Sequence, residues 1–251
     1  MILTENQQAI LDGKEGTFRA KMLKTLVMYG KLSGADKMVP VTCQYNYTAL
    51  ARSMKNAEPI YALAEQIIKK EELSVFWGEF TPGGEAFPAE GDILSAGDPV
   101  AVVYANSVLG ARCNLNPAGT DLMGMALGMV PSFGLLTEEG RKANAIISVE
   151  TLEKPNPNLL AAAIAETAKG DVVYIMGMDK YIDSESEEDY LAKFSVAMAS
   201  EGFGMYHMAG ITPEAKKSAE ACLADKAEEY VVDDLVLNKK AQSHGVGGEC
   251  K

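Results

Sequence analysis

The segment PVAVVYANSVLGARCN, residues 99–114, gives the strongest indication of the fold of this chain. Its apolar part, residues 100–104, is a continuous run in which every residue except Ala101 is β-branched or aromatic, and this run predicts a strand buried on both faces. Asn106 and Ser107 follow at the carboxyl end of this run. In α/β proteins small ligands bind at such ends, where the next helix attracts anions through its free N–H groups. Arg112 adds a permanent cation, so the segment predicts a site for a small anionic ligand.

A second interpretation of the same polar residues stays open. Asn106 and Ser107 are also suited to a turn at a strand end, and Arg112 would then pair with one of the many acidic side chains of the chain. The two interpretations differ in whether removal of Arg112 affects ligand binding or only local structure.

Helical and strand-like stretches alternate along the chain, which predicts a layered α/β fold. Strands are predicted at residues 37–44, 74–77, 100–104, 145–150, 171–176 and 204–208. Helices are predicted at residues 5–30, with a break at 13–16, and at residues 47–70, with an interruption before Pro59. Further helices are predicted at residues 121–127, 158–168, 188–201 and 214–223. We expect one α/β domain over residues 1–238 and a mobile polar tail over residues 239–251, where glycine and polar residues dominate.

Composition excludes several classes of partner. The formal charge of −12, with 23 Lys and Arg against 35 Asp and Glu, opposes binding to nucleic acid. No apolar stretch approaches the length of a membrane span, and the N-terminus lacks the basic and apolar pattern of a signal peptide. The 4 cysteines fall at irregular spacing, as in proteins with reduced thiols. We therefore expect a cytoplasmic protein without membrane or nucleic-acid partners.

Ordered sequence blocks resemble the aconitase X family. They are LTENQQAILDGKEG (3–16), GADKMVPVTCQY (34–45), YANSVLGARCN (104–114), MVPSFGLLTEEGRKANAIISVE (129–150) and FGMYHMAGITPEA (203–215). Several blocks in the right order are far more specific than any one short motif.

The resemblance implies an aconitase-like α/β/α architecture with a mixed or parallel sheet. It further implies a hydro-lyase (dehydratase) subunit that acts on a small hydroxylated anionic acid or amino acid, such as a hydroxyproline or mevalonate phosphate. Family members also need a small swivelling domain that contributes a serine. We therefore expect a small partner subunit, or a homo-oligomer, to complete the site.

The resemblance also assigns candidate site residues. Catalytic roles fall on His207, as a group for proton transfer, and on Ser107. Substrate binding falls on Asn106, Arg112, Asn114 and Thr42. The other interpretation of His207 is a histidine packed in the apolar core.

An iron–sulfur cluster is the cofactor that the resemblance implies, and Cys43 and Cys113 are the candidate metal ligands. The chain departs from the family at Phe80, which stands where the family has a cysteine, and at Tyr45, where the family tends to have histidine. The two thiols would otherwise be small buried residues. These departures support an alternative function, a cluster-less homologue that binds a small anion or a protein partner without catalysis.

Overall fold

A computed structural model describes residues 8, 18–42, 88–96, 98–168, 172–183 and 187–243 of the chain. The chain forms two compact units. The first comprises Met1–Ala101 and Ala111–Gly140, and the second comprises Val102–Gly110 and Arg141–Lys251. Residues 1–238, for which a single domain is expected, span both units.

The helices and strands follow one another in this order: α1 (Phe18–Leu32), β1 (Met38–Pro40), α2 (Pro99–Ser107), α3 (Ala118–Leu127), β2 (Met129–Pro131), β3 (Ala143–Glu150), α4 (Pro157–Thr167), β4 (Val172–Met176), α5 (Glu187–Ser200), β5 (Met205–Met208), α6 (Pro213–Lys217), β6 (Leu223–Asp233) and α7 (Asp234–Ser243). Short 3₁₀ turns lie at Gly134–Leu136, Glu139–Arg141 and Glu220–Cys222.

The strand predicted at residues 100–104 is wrong, because this segment is helix α2. Asp98 caps the helix: its Oδ1 accepts a hydrogen bond from the Val100 amide at 2.9 Å. Pro99 follows at the first helical position, where a missing N–H costs nothing. A helix that is apolar all round and buried gives the same continuous hydrophobic run as a buried strand. Asn106 and Ser107 therefore lie in the last turn of a helix.

The first unit packs α1 against α3 and a small antiparallel ladder of β1 and β2. The buried side chains of α1 recur at helical spacing and form one apolar face. The core of the unit consists of Met22, Leu23, Leu26, Val27, Met38, Ala126 and Leu127.

The second unit is built on a parallel four-stranded sheet of order β5-β4-β3-β6. The burial of β3 alternates along the strand, so one face carries Ala145, Ile147 and Val149 into the core. Helix α4 packs against both α5 and α7. Ile164 and Phe194 contribute to the same core as the β3 side chains. The predicted α/β class with a parallel sheet is confirmed.

The C-terminal elements differ from the prediction. The helix expected at residues 214–223 ends at Lys217, and Ser218 has extended backbone angles. Strand β6, which was not predicted, pairs in parallel with β3 and alternates apolar and charged residues over part of its length. The expected tail boundary at Lys239 falls inside α7, which extends to Ser243. Among the described residues, no helix is long and apolar enough to cross a membrane.

Two glycines of α3 provide a matched test of the first unit. A Cβ added at Gly124 would lie 2.5 Å from Ser95 Oγ and 2.8 Å from Val130 Cγ1, whereas a Cβ at Gly119 meets nothing within 4 Å. Gly124→Ala is expected to lower the free energy of unfolding by about 1 to 3 kcal/mol through overpacking. Gly119→Ala is expected to raise it by up to about 1 kcal/mol through helix propensity. Urea unfolding of both variants measures the difference, and equal effects would contradict the packing.

Candidate functional site

Arg141 is the centre of a buried polar cluster in the second unit. It lies at the end of a 3₁₀ turn immediately before β3, and only 2% of the residue is exposed. Its Nε and Nη2 donate to Glu214 Oε1 at 2.8 and 2.7 Å. Its Nη1 and Nη2 also donate to the side-chain and backbone oxygens of Asn106, at 3.0 and 3.1 Å. The guanidinium charge is therefore paired and hydrogen-bonded away from water, as a buried charge must be.

The last turn of α2 is fixed to β5 by two hydrogen bonds. Asn106 Nδ2 donates to the Gly204 carbonyl at 3.1 Å, and Ser107 Oγ accepts from the Tyr206 amide at 2.9 Å. Both α2 side chains are almost fully buried. Asn106 therefore holds Arg141 and the start of β5 at the same time.

His207 of β5 lies beside this cluster with 1% of the residue exposed. Its Nε2 is 2.8 Å from the Arg141 carbonyl oxygen, which can only accept, so Nε2 carries the proton. Nδ1 then bears a lone pair, lies 3.9 Å from Glu214 Oε2, and has no hydrogen-bond partner among the described residues. Burial lowers the pKa of His207 from its ordinary value, which favours the neutral ring.

Cys222 completes the group around His207. It ends the 3₁₀ turn Glu220–Cys222 and is 3% exposed. Burial, with a smaller effect of the Glu214 carboxylate, raises the pKa of the Cys222 thiol to about 11. One potential donor atom from each of His207, Glu214 and Cys222 lies within 4.8 Å of the other two. This arrangement could hold a metal ion.

The donor atoms of His207, Glu214 and Cys222 do not fit the iron–sulfur cluster that the resemblance implies. Such clusters are held mainly by cysteine thiolates. In the part of the chain that the structure describes, this group contributes a single thiol, from Cys222, with one nitrogen and one carboxylate donor. Nitrogen, oxygen and sulfur donors together are typical of a single divalent ion such as zinc.

The other predicted binding residues belong to the first unit. Arg112 forms an ion pair with Glu138 and donates to the Leu136 carbonyl at 3.5 Å. Asn114 donates to the Phe133 carbonyl at 2.9 Å and accepts from the Leu135 amide at 2.8 Å. These contacts organise the loop after β2.

Thr42 and Cys113 also have local partners in the first unit. Thr42 Oγ1 donates to Asp92 at 2.8 Å and accepts from the Ile93 amide at 2.8 Å. The Cys113 thiol is buried and donates to the carbonyl of Asn114 at 3.5 Å. Cys43, Tyr45 and Phe80 lie outside the described residues.

The structure thus brings together Asn106, Ser107 and His207, and it adds Arg141, Glu214 and Cys222, which sequence reasoning missed as site residues. A signal for two of the three was present, since Arg141 lies in the TEEGRK block and Glu214 in the TPEA block. The anion site was predicted at the end of a strand, but residues 99–107 form a helix. The helix that ends at Ser107 presents carbonyls there, and the next helix begins at Ala118.

Asp121 is the centre of a separate polar cluster in the first unit. Its Oδ1 accepts from Asn116 Nδ2 at 2.8 Å and from Ser95 Oγ at 3.0 Å. Its Oδ2 is buried without a hydrogen-bond partner among the described residues. Burial raises the pKa of Asp121 to about 7, and the two hydrogen bonds oppose this shift only in part.

Comparison with known proteins relates the chain to aconitase X. Residues 84–139 match the family model described as aconitase X first domain. The phosphomevalonate dehydratase large subunit of Thermococcus kodakarensis is 26% identical over 97% of this chain and 69% of its own length. The cis-3-hydroxy-L-proline dehydratase of Hypocrea jecorina is 31% identical over 87% of this chain, which corresponds to 44% of that protein.

A solved structure gives the same relationship. The crystal structure of Thermococcus kodakaraensis aconitase X in its holo-form superposes with a TM-score of 0.77 at 25% identity. The match covers 97% of this chain and 69% of that one. The expected aconitase-like architecture is therefore confirmed, in a chain shorter than its relatives.

Arg141 and Arg112 are expected to differ in their contribution to stability. Arg141→Ala leaves Asn106 and Glu214 without their buried partner and is expected to cost about 3 to 5 kcal/mol. Arg112→Ala removes an ion pair whose acid, Glu138, is 83% exposed, and is expected to cost no more than about 1 kcal/mol. Denaturant unfolding of both variants measures this. A large loss in Arg112→Ala would show that Arg112 is a structural residue.

Asp121 is expected to give the stability a pH dependence. Its folded pKa of about 7 lies above the ordinary 3.8, so the folded state binds the proton more tightly. The stabilisation is complete below about pH 4 and is lost as the pH rises to about 7. Each pKa unit corresponds to about 1.4 kcal/mol, so the loss is a few kcal/mol.

Asp121→Asn tests this dependence because the variant cannot titrate. In the wild-type protein the free energy of unfolding should fall as the pH rises from 4 to 7, and in Asp121→Asn this fall should be absent. Asp36→Asn, which removes an exposed carboxylate, is the control and should retain it. An unchanged decline in Asp121→Asn would assign it to other groups.

Proposed function

We propose that this chain, which is similar to aconitase X proteins, is the large subunit of a hydro-lyase that dehydrates a small hydroxylated anionic acid. Its relatives are named as dehydratases of phosphomevalonate and of cis-3-hydroxy-L-proline. A phosphorylated hydroxy acid and a hydroxylated amino acid are therefore the two substrate classes in this proposal. Both carry a carboxylate and a hydroxyl group on neighbouring parts of a small molecule.

The observation that carries the proposal is the lone pair at His207 Nδ1. Elimination of water needs a group that takes a proton from carbon and a group that assists the departing hydroxyl. Nε2 of His207 is fixed to the Arg141 carbonyl, and Nδ1 lies near Glu214 without a hydrogen-bond partner in the described part of the chain. A neutral imidazole held in one tautomer is suited to accept a proton.

The remaining residues take positioning and binding roles in the proposal. Arg141 orients Glu214 through its guanidinium and His207 through its carbonyl. Ser107 Oγ accepts a hydrogen bond from the Tyr206 amide. Its hydroxyl proton is therefore the atom that it could donate to a substrate. Substrate binding is proposed for Asn106, Arg112, Asn114 and Thr42.

A partner chain is part of the proposal. The relatives named as phosphomevalonate dehydratases are large subunits. We propose that this chain likewise works with a small subunit, which supplies groups that complete the elimination, and that the complex acts in the cytoplasm. A homo-oligomer is the other way in which a second chain could complete the site.

The test is turnover with and without a partner. The purified chain, alone and mixed with the small subunit of a phosphomevalonate dehydratase, is incubated with phosphomevalonate and separately with cis-3-hydroxy-L-proline. We expect no dehydration by the chain alone and steady dehydration of one substrate by the mixture. His207→Asn should lower kcat by about 100-fold or more, the size typical of a lost proton-transfer group.

His244→Asn is the matched control, since the chain contains 2 histidines. It should retain the wild-type kcat. Turnover by the isolated chain would remove the need for a partner. Binding of either acid without turnover in any mixture would instead support the cluster-less homologue that binds a small anion.

A further inference from the structure

Three side chains of the second unit, His207, Glu214 and Cys222, lie close together, and among the described residues no hydrogen bond joins one of them directly to another. His207 Nδ1 and Glu214 Oε2 are 3.9 Å apart. One potential donor atom from each of His207, Glu214 and Cys222 lies within 4.8 Å of the other two. His207 and Cys222 are almost fully buried, while Glu214 is partly exposed. A buried imidazole nitrogen without a hydrogen-bond partner among the described residues needs an explanation, because such atoms are normally satisfied.

We propose that His207 Nδ1, Glu214 Oε2 and Cys222 Sγ form a binding site for a single divalent metal ion of the zinc class. Three protein ligands of nitrogen, oxygen and sulfur leave a fourth position open, which is the arrangement of catalytic rather than structural zinc sites. The open position would take water or a substrate oxygen.

The distances suit this assignment. A tetrahedral zinc ion holds nitrogen, oxygen and sulfur donors about 3.3 to 3.6 Å from one another. The observed 3.9 Å between Nδ1 and Oε2 is about 0.6 Å longer than the nitrogen–oxygen spacing at such an ion. Binding of the ion would require the three donor atoms, which lie within 4.8 Å of one another, to move closer together.

Arg141 supplies the outer contacts that metal ligands require. A ligating histidine usually donates its other N–H to a carbonyl or carboxylate, and a ligating carboxylate is itself hydrogen-bonded. Here Nε2 of His207 donates to the Arg141 carbonyl, and Oε1 of Glu214 accepts from the Arg141 guanidinium. The atoms that remain, Nδ1 and Oε2, are those that face each other.

The charges also fit an anionic substrate. Arg141 and Glu214 neutralise one another, and a thiolate at Cys222 neutralises half the charge of a divalent ion. The occupied site would therefore retain one positive charge, which attracts a carboxylate or phosphate. Only this role in dehydration rests on the proposed function. With the ion bound, His207 Nδ1 would be a metal ligand and no longer the proton acceptor of the proposed function. The ion would then assist the departing hydroxyl, and the partner chain would supply the base.

The test uses metal alone and no substrate. The full chain is purified, freed of metal with a chelator, and titrated with Co²⁺, whose thiolate complexes absorb in the near ultraviolet. We expect saturation at one ion per chain with a thiolate-to-cobalt absorption band that Zn²⁺ displaces. Cys222→Ala should abolish the band, and Glu214→Gln should weaken binding by at least about tenfold.

Cys113→Ala is the matched control, because Cys113 is also buried but lies in the first unit. It should keep the band. X-ray absorption on the wild-type zinc complex needs no variant and should show one sulfur with nitrogen and oxygen neighbours. A shell without sulfur, a shell of several sulfurs, a band that survives Cys222→Ala, or binding that never saturates would each overturn the site. Metal binding without turnover would count against the dehydratase proposal alone.

Discussion

The second unit depends on the burial of one positive charge. Once the Arg141 guanidinium is removed from water, it is stable only with a carboxylate partner and with acceptors for its remaining N–H groups. Glu214 and Asn106 meet those needs from elements far apart in the sequence, at separations of 73 and 35 residues. Because each lost contact would leave a buried charge unsatisfied, the electrostatic requirement restricts where α2 and the segment after β5 can lie.

The same residue also sets the chemistry of its neighbours. Its carbonyl fixes the tautomer of His207, and the sheet register places His207 beside Tyr174, which in turn pairs with Ile146. A ring held by a strand on one side and a backbone carbonyl on another has little freedom to turn. Sites on strands with such supporting contacts keep their geometry better than sites on loops.

Sequence reasoning identified most of the elements and the family but misjudged the segment on which it relied most. The apolar run at residues 100–104 fits a buried strand and a buried helix equally well, and the cap formed by Asp98 before Pro99 was the feature that distinguished them. Strand β6 was missed because its charged residues resemble an exposed surface. Its inclusion in the sheet depends on pairing with β3, which no local pattern encodes.

The candidate site shows the same division. His207 and Asn106 could be proposed because each follows an apolar run in a recognisable block. Arg141 and Glu214 stood in such blocks too, but a charged residue next to a predicted turn is usually solvated. Only the fold reveals that Arg141 is buried. No sequence pattern marks Cys222 as a site residue, because only the folded chain brings it next to His207 and Glu214.

The division of the chain between its units has a consequence for how the protein folds. Val102–Gly110 belongs to the second unit although the segments on both sides of it belong to the first. Asn106 bonds to Gly204 across 98 residues, and Ser107 bonds to Tyr206 across 99. During synthesis, α2 must therefore wait until β5 has emerged before its last turn finds these partners. A fragment that starts at Arg141 would lack Asn106 altogether, so the second unit is not a module that could be cut out, exchanged or folded first. Such long-range closure within the second unit is the type of contact that slows folding.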